Sequence, residues 1–126
     1  MVEHLFVYGT LRRDAGHEAH GILARRAQEL GYGFLRGRLF DLGAHPAAVR
    51  SREPGHRVRG LVYRLEVGMR EVLLAELDRY EGGEFRRELA SVTLESGESL
   101  VAWVYLYART PPPGRLISSG DYTGEP

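Results

Sequence analysis

A chain of 126 residues, 43% hydrophobic and 27% charged, has the size of one ordinary domain and the make-up of a globular one, which excludes a disordered or fibrous protein. Seventeen basic residues balance seventeen acidic ones, so no positive surplus points to nucleic acid or to a membrane surface, and neither is expected as a partner. There is no cysteine, which removes disulfides, thiolate nucleophiles and thiolate metal sites. Every basic residue is arginine, which removes lysine chemistry as well. Asparagine is missing too and Gln28 is the single glutamine, a bias that fits a GC-rich coding sequence and suits a heat-adapted host. No apolar run nears the ~20 residues of a spanning helix, and the chain opens on an acid, Glu3, rather than a basic leader; a cytoplasmic address is expected. The expected organisation is a single domain over 1–126, with an irregular tail from about residue 111, where Pro111 to Pro113 interrupt regular structure.

Leu5, Phe6, Val7 and Tyr8 form a short apolar run that ends at Gly9, the pattern of a buried strand opening into a turn. From about Glu18 to Leu30 the apolar positions Ala19, Ile22, Leu23, Ala27 and Leu30 recur at helical spacing, and Gly31 stands where a C-terminal cap belongs. Tyr32 to Phe40 and Val58 to Leu65 alternate as strands do, with Gly33, Gly37 and Gly60 marking bulges or close backbone approaches. Met69, Val72, Leu73, Leu77 and Tyr80 predict a helix closed by Gly82 and Gly83. Phe85 to Leu94 and Leu100 to Tyr107 flank a glycine-containing turn and predict a hairpin. Its second arm is apolar on both faces, so it is covered twice, as in a closed or strongly curled sheet. The fold class expected is α+β: a small mixed, curled sheet or barrel flanked by two or so helices.

Glu81 is the first candidate for chemistry. Counting from Leu73 and Leu77, it continues the apolar stripe of its helix, so the carboxyl points inward at the negative end of the helix dipole. Burial and dipole both penalise its charge and raise its pKa toward neutrality, where a proton acceptor works best. The plain alternative is a frayed helix end that releases Glu81 to water. Tyr8, Gly9, Thr10 and Leu11 are the second candidate: a strand end that turns through glycine can aim consecutive N–H groups at a carboxylate or oxyanion, or it can be an ordinary β-turn. His17 and His20 share a helical face with Glu18 nearby, but no third ligand follows at metal spacing, so no metal is expected. Ser118 and Ser119 lie in the tail without a nucleophile elbow. Arg12 with Arg13, and Arg25 with Arg26, are read as solvated faces.

Four segments together carry a family resemblance: Val-Tyr-Gly-Thr-Leu-Arg at 7–12, Gly-Arg-Leu-Phe-Asp-Leu-Gly at 37–43, Leu-Asp-Arg-Tyr-Glu-Gly at 77–82 and Ser-Gly-Asp-Tyr at 119–122. In order and spacing they resemble the gamma-glutamylcyclotransferase-like family, and the chain is similar to a bacterial, gamma-glutamylamine cyclotransferase-like member. The resemblance implies a small mixed barrel flanked by helices, with the tyrosine-glycine loop facing one glutamate across a cavity. It implies a cyclising acyl transfer, classed as transferase or lyase: the free α-amine of a γ-glutamyl group attacks its own side-chain amide, releasing 5-oxoproline and an amine or amino acid. Glu81 would be the general base, Tyr8, Gly9, Thr10 and Leu11 would hold the γ-glutamyl moiety, and no cofactor is implied. Many members of the family it resembles carry a tyrosine a few residues after the glutamate; here Phe85 stands there, followed by Arg86 and Arg87, with Tyr105 and Tyr107 as candidates to supply the hydroxyl. A small-molecule binding module on the same scaffold, without catalysis, is the alternative.

Overall fold

The computed structural model describes residues 2–123. Six strands and one α-helix follow in the order β1 (His4–Val7), β2 (Ala27–Asp41), β3 (Pro46–Arg50), β4 (Arg57–Leu65), α1 (Arg70–Glu81), β5 (Phe85–Leu94) and β6 (Ser99–Tyr107). β2 pairs with β4, β4 with β1, β1 with β6, β6 with β5, and β5 returns to β2 through Gly33↔Leu94 to Leu35↔Val92. Five strands therefore close a small barrel, antiparallel except for the β1–β6 contact at Leu5↔Trp103. β2 is long enough to serve three partners, since beyond the barrel its residues Gly37 to Asp41 pair with β3. At Gly60 a Cβ would strike the Val7 carbonyl and the Phe6 ring, so bare backbone is what lets β4 close on β1 there.

Side-chain alternation along β1 divides the core in two. Phe6 enters the barrel with Leu35, Val58, Val62, Val92 and Val104. Leu5 and Val7 point the other way, onto the helix side, with Leu61, Tyr63, Leu73 and Leu77. Leu73, Leu74 and Leu77 are buried at α1's inner face, each contributing about 2 kcal/mol of burial that holds the helix to the barrel. β6 serves both cores, Ala102, Val104 and Leu106 inside the barrel and Tyr105 under the helix, although Val101 near its start is exposed.

Two sequence expectations fail here. The helix expected from Glu18 to Leu30 is a 3-10 turn over Glu18–Ile22 followed by the start of β2 at Ala27. Arg25 takes a left-handed backbone, φ 72°, which breaks the helical path, and Gly31 at φ 133° is not a cap: it closes a register shift between Glu29 and Gly31 inside β2. One α-helix, not two, therefore flanks the barrel, supported by short 3-10 turns. β3, with Pro46 at its first position, was not expected at all. Beyond Pro111 the chain holds little regular structure yet lies on the barrel: Ile117 N–H donates to Leu39 O (2.7 Å) and Arg59 N–H to Gly120 O (2.7 Å). The last three positions of the expected tail, 124–126, lie outside the described residues.

Candidate functional site

The 12-residue helix α1 ends at Glu81, and Gly82, at φ 79°, returns its N–H to the Asp78 carbonyl (3.1 Å). This stop leaves Glu81 one turn beyond Leu77, on the stripe that faces the barrel. Its carboxyl lines a cavity of about 220 Å³, together with Tyr8, Gly9, Thr10 and Leu11 from the turn after β1. At about 30 Å³ per water, that is room for about seven waters, enough for one compact group. Burial pushes the Glu81 carboxyl up to about 7, with no partner offsetting it. The helix dipole invoked from the sequence is not needed to account for that rise.

The turn opposite Glu81 is held by several contacts. Tyr8 carries its hydroxyl into the core, donating to Tyr105 O (2.6 Å) and accepting from Ala48 N–H (3.1 Å), so one phenol bolts β1 to β6 and β3. Burial raises the Tyr8 pKa, and the nearby Glu81 charge adds to that rise, so the phenol stays neutral. Gly9 lies so close to Pro46 that a Cβ there would sit 2.9 Å from the ring. The Thr10 hydroxyl meets the Tyr80 hydroxyl at 2.7 Å, tying the turn to the last turn of α1. The Leu11 carbonyl meets His20 Nδ1 at 3.0 Å. Arg12 N–H closes the turn onto Gly9 O (3.1 Å), while the N–H groups of Gly9, Thr10 and Leu11 take no backbone carbonyl among the described residues. A turn with N–H groups free of backbone carbonyls, sharing a cavity with a carboxyl that titrates near neutrality, is suited to an oxyanion on one side and a proton on the other.

Arg12 corrects the sequence reading. It is no solvated arginine but fully buried, forking onto Asp14 (2.9 and 2.7 Å) and reaching Asp121 (2.8 Å). Asp14 also accepts from Tyr32 (2.8 Å), and Asp121 from Arg59 (3.3 Å), so the tail segment at 119–122 is fastened to the residue after the site turn. Arg13 does reach the surface, where it pairs with Glu29 (2.7 Å). Arg26 is likewise not merely solvated; it reaches Glu76 on α1 (3.0 Å) and the Ile22 carbonyl (2.7 Å). His17 has a local task, its Nδ1 accepting from Ala19 N–H (3.0 Å). Ser119 accepts from Asp121 N–H (3.2 Å) in the tail turn.

The cavity also draws on residues the sequence did not single out. His45 and Pro46 arrive with the unforeseen β3, and Tyr80 precedes Glu81. Phe85 is in the wall with His45 against it, ring centroids 5.6 Å apart. Of the two tyrosines considered as a replacement hydroxyl, Tyr105 lines the cavity, whereas Tyr107 stacks behind Phe85 (5.5 Å) and opens onto a different cleft. Tyr105 donates to Asp78 Oδ1 (2.6 Å), and Arg87 holds the same carboxylate (2.8 Å) while lying over Trp103 (4.5 Å). These bonds brace the last turn of α1, three residues before Glu81.

The model of the family described as "Gamma-glutamyl cyclotransferase, AIG2-like" matches residues 5–124. The gamma-glutamylcyclotransferase family protein YtfP of Escherichia coli (strain K12) is 38% identical over 122 residues, covering 94% of each chain. Among solved structures, YkqA from Bacillus subtilis superposes with a TM-score of 0.75 at 28% identity over 96% of this chain, which spans 39% of that longer protein. An AIG2-like protein from Mus musculus superposes with a TM-score of 0.70 at 28% identity, over 87% of this chain and 80% of the mouse one. No helix of the described residues is long and apolar enough to cross a membrane.

Proposed function

Because the chain belongs to the gamma-glutamyl cyclotransferase, AIG2-like family, we propose that it cyclises a γ-glutamyl amide, releasing 5-oxoproline and an amine or amino acid. The observation that carries this reading is the Glu81 carboxyl, its pKa pushed up to about 7, sharing a small cavity with a turn whose N–H groups take no backbone carbonyl. Near neutrality about half of these carboxyls are ionised, so one group can both accept and return a proton.

The reaction follows from that placement. The substrate's α-amine attacks its own γ-carbonyl carbon, a C–N bond forms, and Glu81 takes a proton from the attacking nitrogen. The carbonyl oxygen becomes an oxyanion facing the N–H groups of Gly9, Thr10 and Leu11. Collapse breaks the bond to the leaving nitrogen, which receives the proton from Glu81. Nucleophile and electrophile share one molecule, so the protein's share of the work is to hold the cyclising conformer and move one proton. Tyr8 shapes the cavity through its bonds to Tyr105 and Ala48 and stays neutral beside Glu81.

The test is release of 5-oxoproline, followed by mass spectrometry, from γ-glutamyl amino acids, γ-glutamyl amines and glutathione. Release by the wild type that disappears in Glu81→Gln supports the reading. A folded protein that binds these donors and releases nothing is the non-catalytic module instead.

A further inference from the structure

A second cleft, of about 550 Å³, shares no residue with the Glu81 cavity. Its character comes from β2, where the outward Phe34 and Arg36 flank the inward Leu35. Arg36 stands directly opposite Arg57 of β4. Like charges placed directly across an antiparallel pair repel and destabilise it. The Arg57 guanidinium lies over the Phe34 ring, 4.6 Å from its centroid, which keeps it on this face. Arg50 and Arg52, at the end of β3 and just past it, line the cleft with Arg36, and Arg57 stands beside it; Ser51, Ser91 and Thr93 are also in its wall, Ser51 already meeting His56 Nδ1 (2.8 Å) and Thr93 meeting Ser99 (3.5 Å).

No carboxylate lines this cleft. Of the nearby acids, Glu53 pairs with His56 (3.2 Å), and Glu88 pairs at the rim with the lining residue Arg50 (3.3 Å). Among the described residues Arg36, Arg52 and Arg57 have no ion-pair partner. Two cations without an ion-pair partner, Arg36 and Arg52, thus line the cleft, and a third, Arg57, stands beside it across the ladder from Arg36. An anion bound among them relieves the repulsion between Arg36 and Arg57.

We propose that this cleft binds a small phosphate-bearing anion, its oxygens shared by Arg36 and Arg52 of the lining, by Arg57 beside it and by the Ser91 hydroxyl. Guanidinium forks match phosphate oxygens two at a time, and hydroxyls complete such a shell. The patch is bounded and the chain as a whole carries no net charge, which suits a phosphomonoester or inorganic phosphate species rather than a nucleic-acid strand.

The test uses the whole chain with inorganic pyrophosphate and, separately, a sugar phosphomonoester, each against sodium chloride of equal ionic strength. Calorimetric titration is expected to give a sub-millimolar Kd for at least one probe, and about 10 mM of it raises Tm by about 5 °C. The tighter probe identifies the source of the phosphate. Arg36→Gln is expected to weaken binding at least tenfold and, without any anion, to raise Tm, since it removes the opposed charge. Arg52→Gln, on a loop, repeats the loss of binding without touching the ladder. No binding by either probe overturns the proposal. So does equal binding by the variants, which marks an adventitious ion only, and so does binding of a single-stranded oligonucleotide with no binding of the small probes.

Discussion

Replacing Glu81 by glutamine separates stability from catalysis at one position. The ordinary pKa of 4.5 rises to about 7 in the fold because burial disfavours the charged form. The folded chain therefore holds this proton more tightly than the unfolded chain does. Below pH 4.5 nothing is lost; between pH 4.5 and about 7 the cost of ionising inside the fold grows, and above about 7 it is complete. Each tenfold preference is worth about 1.4 kcal/mol, so the full cost is about 3 kcal/mol. Glutamine keeps the shape and stays neutral at every pH. Glu81→Gln is therefore expected to be about 3 kcal/mol more stable than the wild type at about pH 8.5 and of equal stability at about pH 4.5. With an unfolding entropy of about 2.1 cal/mol/K for each of 126 residues, the gain corresponds to about 10 °C in Tm. Urea unfolding of both proteins at the two pH values reads it directly. A variant no more stable than the wild type at the higher pH would refute the claim that Glu81 ionises at a cost inside the cavity.

Other positions carry their own expectations. Arg12→Ala leaves Asp14 and Asp121 without their buried cation and is expected to cost about 3–5 kcal/mol, read by urea unfolding at pH 7; a loss under 1 kcal/mol would place the tail's attachment elsewhere. Burial, the largest single effect, acts to raise the pKa of Asp14 and of Asp121, but the hydrogen bond and charge of Arg12, with hydrogen bonds from Tyr32 to Asp14 and from Thr123 to Asp121, together outweigh it and hold both below 3.8. The stability they contribute is present above pH 3.8 and lost as pH falls below it, and the Arg12→Ala protein, measured by acid unfolding, is expected to show much less of that dependence. Gly9→Ala drives a Cβ into Pro46 and shifts the site turn; 5-oxoproline release is expected to fall at least tenfold in kcat/KM, and unchanged kinetics would remove the turn's geometry from the mechanism. Tyr80→Phe breaks the exposed bond to Thr10 at a cost of about 1 kcal/mol or less, with a few-fold rise in KM as the turn loosens.

Local periodicity made Glu81 legible: the spacing from Leu73 and Leu77 depends only on the helix repeat, and α1 keeps that repeat to its last residue. The Tyr8 to Leu11 turn was readable for a similar reason, an apolar run stopped by glycine. What the sequence hid depends on distance along the chain. Arg12 looks like any surface arginine until Asp121, 109 residues later, is folded against it. The segment from Glu18 to Leu30 carries helical spacing, but pairing Ala27 and Gln28 with Leu65 and Arg64 of β4 outweighs local preference. β3 is five residues with Pro46 first, too short to show a period, and His45 and Pro46 of the cavity wall stayed out of view with it.

The central claim is that Glu81 moves the proton in a cyclisation, and the pH dependence of kcat/KM for 5-oxoproline release tests it most directly. The account predicts a rate that climbs with pH and levels off above an apparent pKa near 7, with Glu81→Gln about 10²–10⁴ times slower across the range. A flat profile, or a variant that keeps the wild-type rate, would contradict it.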